Sequence, residues 1–288
     1  MSSAVSGALT SINFIFRHPL NRKRPLAALG KLIAWQIACR IRPEIEYQWI
    51  DGAKLKIRRG MTGATGNVYC GLHEFVEMAF LLHLLRPDDL FLDIGANVGS
   101  YTVLASRVCG ARTIAFEPDP EAARTLERNI AANNLQALAT VRRIALGDHN
   151  GEVAFTTGRD TMNRVAQSSD HMVQRVAMAR LDEVCHAVMP VLIKLDVEGY
   201  EERVLSGAAC ILQNPSLLAI QSELDTPDVA EILGSYGFKP SYYDPFSRKI
   251  APTDFGLRVF NMLYIRDLEA VSRRVAMAPY RNVVGRNL

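Results

Sequence analysis

From residue 90 onward the chain alternates short apolar runs with amphipathic stretches. Leu90–Ile94, Thr113–Phe116, Thr140–Ala145, Val191–Leu195 and Leu217–Ser222 are compact, mostly apolar runs bounded by turn residues. Gly99–Val108, Pro120–Asn133, Glu201–Ala208 and Val229–Tyr236 carry apolar residues at helical spacing. Buried strands alternating with helices predict βαβ units, hence a doubly wound, mostly parallel α/β sheet with helices on both faces. Two late runs, near Pro240–Tyr243 and Leu257–Ile265, add closing strands, one of them antiparallel. Ligands of such sheets sit outside the carboxyl ends of the strands, so the residues that end each strand matter most.

Ahead of this unit, Leu26–Ile41 predicts a helix, with Leu26, Leu32, Ile33, Trp35, Ile37 and Ile41 among its apolar residues. Glu46–Arg58 alternates in places around Asp51-Gly52, which predicts a short hairpin. Gly60–Gly66 is a glycine-rich connector, and Leu72–Leu85 a helix with Phe75, Met78, Leu82 and Leu85 on one face, broken by Pro87. Gly151–Arg180 interrupts the alternation. Short strands at Glu152–Thr156 and Val173–Ala179 flank a polar loop, Gly158–His171. Arg159, Asn163, Arg164 and His171 in that loop either close over a ligand or are simply solvated. After Arg266 a helix and a frayed terminus are expected.

Composition narrows the picture. The chain has 288 residues, 49% hydrophobic and 22% charged, with net charge +3. That suits one sizeable core and is too weakly basic to point to nucleic acid. The charge is uneven: residues 1–43 hold seven Lys or Arg and no acid. The segment reads either as a basic amphipathic element resting on an anionic membrane surface or as an accessory helix packed on the main domain. The five cysteines are odd in number and form no CxxC pair, which argues against a zinc site and for reduced thiols. No secretory signal is apparent, and Pro25–Cys39 is too short and interrupted to span a bilayer. A cytoplasmic protein fits, with peripheral contact at the inner face of a membrane as the variant.

The first strand ends Asp93-Ile-Gly95-Ala96-Asn97-Val-Gly99-Ser-Tyr101-Thr102. Gly95 and Gly99 allow a tight turn and close approach to a ligand at a helix N-terminus. A dinucleotide loop would read GxGxxG; here it is GxNxG, with an acid two residues earlier. A carboxylate repels a pyrophosphate and attracts an ammonium, so Asp93 favours S-adenosylmethionine over a nicotinamide cofactor. The second strand ends Glu117-Pro118, where an acid accepts hydrogen bonds from ribose hydroxyls. The third leads to Leu146-Gly-Asp148; Leu146 is placed to pack on adenine, and Asp148 to bond its amino group or to serve as a turn acid. His73 and Glu74 either face the same pocket or belong to the core.

The fourth strand reads Lys194-Leu-Asp196-Val-Glu198-Gly199-Tyr-Glu201. Together with the Asp93–Thr102 run, Glu117-Pro118, Ala145–Asp148, Leu181-Asp182, Glu223 and Phe260–Tyr264, it resembles the FkbM-type methyltransferase family over residues 70–265. Arg180 departs from that pattern, which often has a small or hydroxylated residue there. The resemblance implies a class I, Rossmann-like methyltransferase fold. It also implies methyl transfer from S-adenosylmethionine, usually to a hydroxyl of a sugar or a polyketide-like small molecule; a saccharide or glycoconjugate is the leading acceptor, and the basic N-terminus fits a lipid-linked one. It divides the chain into a basic extension (1–69), a methyltransferase domain (70–268) and a tail (269–288).

Activating a hydroxyl needs a base or a cation. In an extended strand Lys194, Asp196 and Glu198 share one side, with Glu223 ending the next strand. Asp196 or Glu198 is then the proton acceptor, and Lys194 and Glu223 orient the group. The acids also suit magnesium or manganese, so a divalent ion is the alternative. An RNA methyltransferase and a non-catalytic nucleoside-binding protein are the competing readings.

Overall fold

The computed structural model describes residues 12–157, 163–167, 170 and 172–288. The extension forms α1 (Pro25–Ile41), the antiparallel hairpin β1 (Ile45–Gln48) and β2 (Lys54–Ile57), and α2 (Thr62–Cys70). The hairpin turns through Asp51 and Gly52, both at positive φ. The expected connector at 60–66 is instead partly helical, running into α2. Its glycine content has a packing cause: a Cβ on Gly66 would lie 1.9 Å from the His73 ring. α3 (Phe75–Leu84) follows and is buried along its whole length.

β3 (Leu90–Ile94), α4 (Ser100–Val103, widening into a π turn to Val108), β4 (Arg112–Phe116), α5 (Pro120–Ala132) and β5 (Ala139–Arg142) make the first half of the main sheet. The expected strand over 140–145 breaks after Arg142. The chain leaves the main sheet there, and β6 (Ala145–Leu146) joins β7 (Gly151–Thr156) and β8 (Val173–Ala179) in a separate sheet. α6 (Leu181–Val184), β9 (Leu192–Leu195), α7 (Glu201–Ser206), α8 (Ala209–Gln213), β10 (Ala219–Ser222), α9 (Pro227–Ser235), β11 (Lys239–Asp244), β12 (Lys249–Ala251) and β13 (Met262–Ile265) complete the domain. β12 had no counterpart in the sequence reading.

The main sheet has the order β12-β11-β13-β10-β9-β3-β4-β5. β10, β9, β3, β4 and β5 are parallel, and β13 lies antiparallel between β10 and β11. This is the class I methyltransferase arrangement, with its reversed late strand. The strand order switches direction between β3 and β9, which opens a crevice at their carboxyl ends. Strand pleating sorts the core into two layers. Phe91, Leu192 and Ala219 point to the side of α3 and α4, whereas Leu92, Ile193 and Ile220 point to the side of α7 and α9.

The end of the chain is not frayed. After α10 (Leu268–Ala276), β14 (Asn282–Val283) and β15 (Arg286–Asn287) form a small hairpin. Leu288 is 2% exposed, and its backbone exchanges hydrogen bonds with Arg281. Arg281 also pairs with Asp51 at 2.5 Å. Trp35 and Leu55 of the extension, Phe91 of the domain and Val283 of the tail share one core cluster, so the three segments are packed as one body.

Candidate active site

β3 delivers the chain into the glycine loop at the switch point. Gly95 and Ala96 donate their amides to the Phe116 carbonyl at 3.1 and 3.0 Å. Gly95 has φ +76°, and a Cβ there would lie 1.7 Å from the Asp196 carbonyl oxygen. The glycine is therefore required first by the close passage of β9. Gly99, at φ +88°, leaves room for Leu126. Asn97 occupies the left-handed region at φ +50°, a conformation asparagine tolerates. Its amide donates to Glu117 at 2.7 Å.

Glu117 is buried and lines a cavity of about 640 Å³. One carboxylate oxygen accepts from Asn97 and the other from the Asp119 amide at 2.8 Å. Burial pushes its pKa up to about 7, against the pull of those amides. Each oxygen keeps a free acceptor direction, which suits the paired hydroxyls of a ribose. Gly95, Ala96, Asn97, Tyr101, Pro118 and Leu146 line the cavity as well.

Three expected cofactor residues stand behind this wall. Asp93 is fully buried, is paired across the sheet with Lys194, and accepts from the Thr102 hydroxyl at 2.6 Å. Neither Asp93, Thr102 nor Gly99 lines the cavity. Asp93 thus ties the loop to the start of α4 and stands behind the cavity lining rather than in it. Among the described residues one of its oxygens has no hydrogen-bond partner. Of the two readings of Asp148, its contacts are those of the turn acid. It lies outside the cavity lining and pairs with Arg203 at 2.6 Å and His149 at 2.7 Å.

β9 ends at Leu195, so pleating does not carry Glu198 to the site. Glu198 and Gly199 instead take positive φ, +54° and +93°, and fold the chain back on itself. Glu201, at the start of α7, accepts from the Val197 amide at 3.1 Å and pins this turn. The outcome matches the expected grouping by another route. Carboxylate oxygens of Asp196, Glu198 and Glu223 lie within 4.8 Å of one another. Lys194 is buried, reaches Asp196 at 2.6 Å, and stands 4.9 Å from the centre of the Tyr101 ring.

These groups divide their charge unequally. Burial alone would lower the Lys194 pKa, but the charges of Asp196, Glu74 and Asp93 outweigh it and keep the ammonium. Burial likewise opposes ionisation of Asp196. The Lys194 charge and hydrogen bonds from Glu223 and Lys194 overcome it and hold that carboxyl below its ordinary range. Glu223 is pushed up by desolvation, then by the Asp196 charge and the hydrogen bond they share. Glu198 is pushed up by burial, then by the charges of Asp196 and Glu201. The site thus holds an ion pair beside two carboxyls of raised pKa.

The opposite wall comes from the extension and the approach to β13. Trp35, Arg59, Tyr69, His73, Arg258 and Phe260 line it; of these, only His73 was expected to face the pocket, while Arg59, Tyr69 and Arg258 carry no signal in the sequence. Trp35 was hidden in a helix apolar on more than one face. His73 and Glu74 do reach the cavity. Glu74 accepts from the Tyr101 hydroxyl at 2.5 Å and from Asn261 at 3.3 Å. Arg258 stacks on Phe14 and Phe260, with 5.5 and 4.4 Å to the ring centres. α2 is fixed to the glycine-loop helix by Asn67, which donates to Ser100 at 3.3 Å. In the polar loop, Asn163 lines the cavity and Arg164 pairs with Asp170 at 3.0 Å; Arg159 and His171 lie outside the described residues.

The family model of the methyltransferase FkbM domain matches residues 93–240. Hexuronic acid methyltransferase AglP of Haloferax volcanii is 29% identical over 160 residues, covering 53% of this chain and 64% of that protein. 2-O-methyltransferase NoeI of Sinorhizobium fredii is 29% identical over 149 residues, covering 43% and 59%. The chain thus spans less than two thirds of the length of these relatives. Among solved structures, a putative transferase from Pyrococcus horikoshii overlays 77% of this chain and 70% of its own, at TM-score 0.45 and 14% identity. The family match covers half of the chain and contains the glycine loop, Glu117 and the Lys194–Glu223 group: the chain belongs to the methyltransferase FkbM domain family.

Proposed function

We propose that the protein transfers a methyl group from S-adenosylmethionine to a hydroxyl of a saccharide or glycoconjugate. The observation that carries this reading is the juxtaposition, in one cavity, of the Glu117-edged glycine loop and the Lys194–Asp196–Glu198–Glu223 group. S-adenosylmethionine, when bound, supplies an electrophilic methyl group. Glycine-loop amides and Glu117 hold the nucleoside, and the acids face the acceptor. A general base must take up a proton, which favours Glu198, whose pKa burial and the neighbouring acids raise, over Asp196, which Lys194 holds below its ordinary range. Glu198 would take the hydroxyl proton as the methyl group passed to the acceptor oxygen, the methyl–sulfur bond of the donor breaking and the demethylated thioether leaving. Asp196, held by Lys194, orients the hydroxyl, and protonated Glu223 donates to Asp196.

The acceptor class draws on the opposite wall and on the relatives. Trp35, Tyr69 and Phe260 offer apolar ring faces of the kind that pack on the C–H face of a sugar. Arg59 and Arg258 line the same wall without an acid partner among the described residues, so an acidic sugar suits it. The relatives named for a hexuronic acid and for 2-O methylation support the same class. The carboxylate-rich floor disfavours a nucleic-acid phosphate backbone.

The test has two steps. S-adenosylmethionine, its demethylated product and NAD are titrated in turn by thermal shift. A labelled methyl donor is then screened with hydroxylated saccharides, using the wild type and Glu198→Gln. Glu198→Gln should lose turnover by roughly 100-fold or more, the ordinary range for a general base, while donor affinity stays unchanged. Preference for NAD, or near-normal turnover in the variant, defeats the reading.

A further inference from the structure

α1 is apolar on two faces. Its inner face, Ala28, Trp35 and Cys39, is buried, and Trp35 reaches the cavity wall. Its outer face carries Leu26, Ile33, Ile37 and Ile41 at 77, 53, 56 and 75% exposure, with Gly30 and Ala34 between them. These positions follow the i, i+4, i+7 pattern of one continuous stripe. Arg40 is the one charged residue that interrupts it. A solvated helix face is ordinarily built of charged and polar residues, so this stripe requires a covering.

The surrounding charge says what kind. Arg17, Arg22, Lys23 and Arg24 are exposed just before the helix, and Arg40 and Arg42 at its end. Residues 12–43 contain no acid. None of these six cations forms an ion pair among the described residues. A second copy of the chain placed on the stripe would bring two such cationic sets together, which like-charge repulsion opposes. An anionic bilayer complements both features at once: it takes the aliphatic side chains into the headgroup boundary and neutralises the flanking cations. Among the described residues no helix is long and apolar enough to cross a membrane, so the contact is a helix lying in the interface.

We propose that the outer face of α1 docks on an anionic lipid surface. The opposite face of the same helix forms part of the cavity, so docking brings the cavity within about one helix diameter, ~10 Å, of the headgroups. An acceptor saccharide still carried on its lipid would then reach the site. That consequence rests on the methyl-transfer reading, whereas the docking does not.

The experiment is co-sedimentation of the full chain with sucrose-loaded vesicles, of phosphatidylcholine alone or with about one quarter phosphatidylglycerol, at low and high salt. Thermal shift with S-adenosylmethionine is run in parallel to follow the cofactor site. Binding should require phosphatidylglycerol and weaken by roughly 10-fold or more as salt rises through the range where the Debye length shrinks. L26S/I33S/I37S should lose at least ~10-fold in vesicle affinity while its cofactor shift matches wild type. Arg22→Glu with Lys23→Glu should weaken binding without touching the stripe. The proposal is overturned by equal binding to neutral vesicles, by an unaffected triple variant, or by a concentration-dependent dimer of the wild type that the triple variant lacks. Loss of the cofactor shift in the wild type would instead strike the methyl-transfer reading and leave the docking result standing.

Discussion

Glu77 on α3 offers a measurement of how the buried site is held. It is 2% exposed, and one of its oxygens accepts the amides of Phe260 at 2.5 Å and Asn261 at 3.0 Å. That contact anchors the segment leading into β13. The other oxygen has no partner among the described residues. Burial, reinforced by the nearby Glu74 charge and opposed by the two amides, lifts its pKa from the ordinary 4.5 to about 7. At about 1.4 kcal/mol per tenfold change, that lift amounts to roughly 3 kcal/mol. The folded state holds the proton more tightly than the unfolded chain does. This contribution to stability is therefore complete below pH 4.5 and is lost as pH rises through about 7. Glu77→Gln keeps an oxygen for the two amides and removes the ionisation. Urea unfolding of both proteins at several pH values reads the residue, together with its coupling to Glu74, in their difference, because the titrations that the substitution does not touch cancel. Relative to wild type, the variant should gain roughly 3 kcal/mol between pH 4.5 and pH 8. A difference that stays flat across that range would refute the account of a carboxyl forced to ionise in a dry, already charged neighbourhood.

Two further outcomes follow from the cavity floor. Gly95→Ala puts a methyl group where the Asp196 carbonyl stands and strains a positive φ. It should weaken S-adenosylmethionine binding in calorimetry and lower turnover together; loss of one without the other would show that the loop and β9 are not in the contact described. Lys194 already supplies a cation at 2.6 Å from Asp196, so turnover should survive an excess of chelator. Loss of activity to chelator, restored by magnesium or manganese, would assign Asp196, Glu198 and Glu223 to a metal instead.

The parallel half of the fold was legible because its signals are local: apolar runs of strand length, helices between them, and acids and glycines at the strand ends. Leu90–Ile94 and Val173–Ala179 were read to the residue. What failed depended on partners distant in sequence. The break between Arg142 and Ala145 moves the chain to another sheet within a run that looks like one strand. The tail looks polar and loose, yet Val283 and Leu288 find a pocket beside the β1–β2 turn. Asp93 carries the right residue type at the right spacing, but spacing does not say on which side of a wall a side chain stands. The grouping of Asp196, Glu198 and Glu223 was expected from an extended strand and arises from a left-handed turn. The opposite wall of the cavity was mostly invisible, since Trp35, Arg59 and Arg258 share no periodic or spacing pattern.

The passage of the Asp196 carbonyl through the space that a side chain at residue 95 would fill has a consequence for redesign. Donor loop and acid turn are machined as one part, with no slack between them to absorb a change in either. Selectivity for a new acceptor is therefore not to be sought there. Trp35, Arg59 and Tyr69 line the opposite wall from segments that do not pass through that space, so a change there leaves the contact between loop and turn intact.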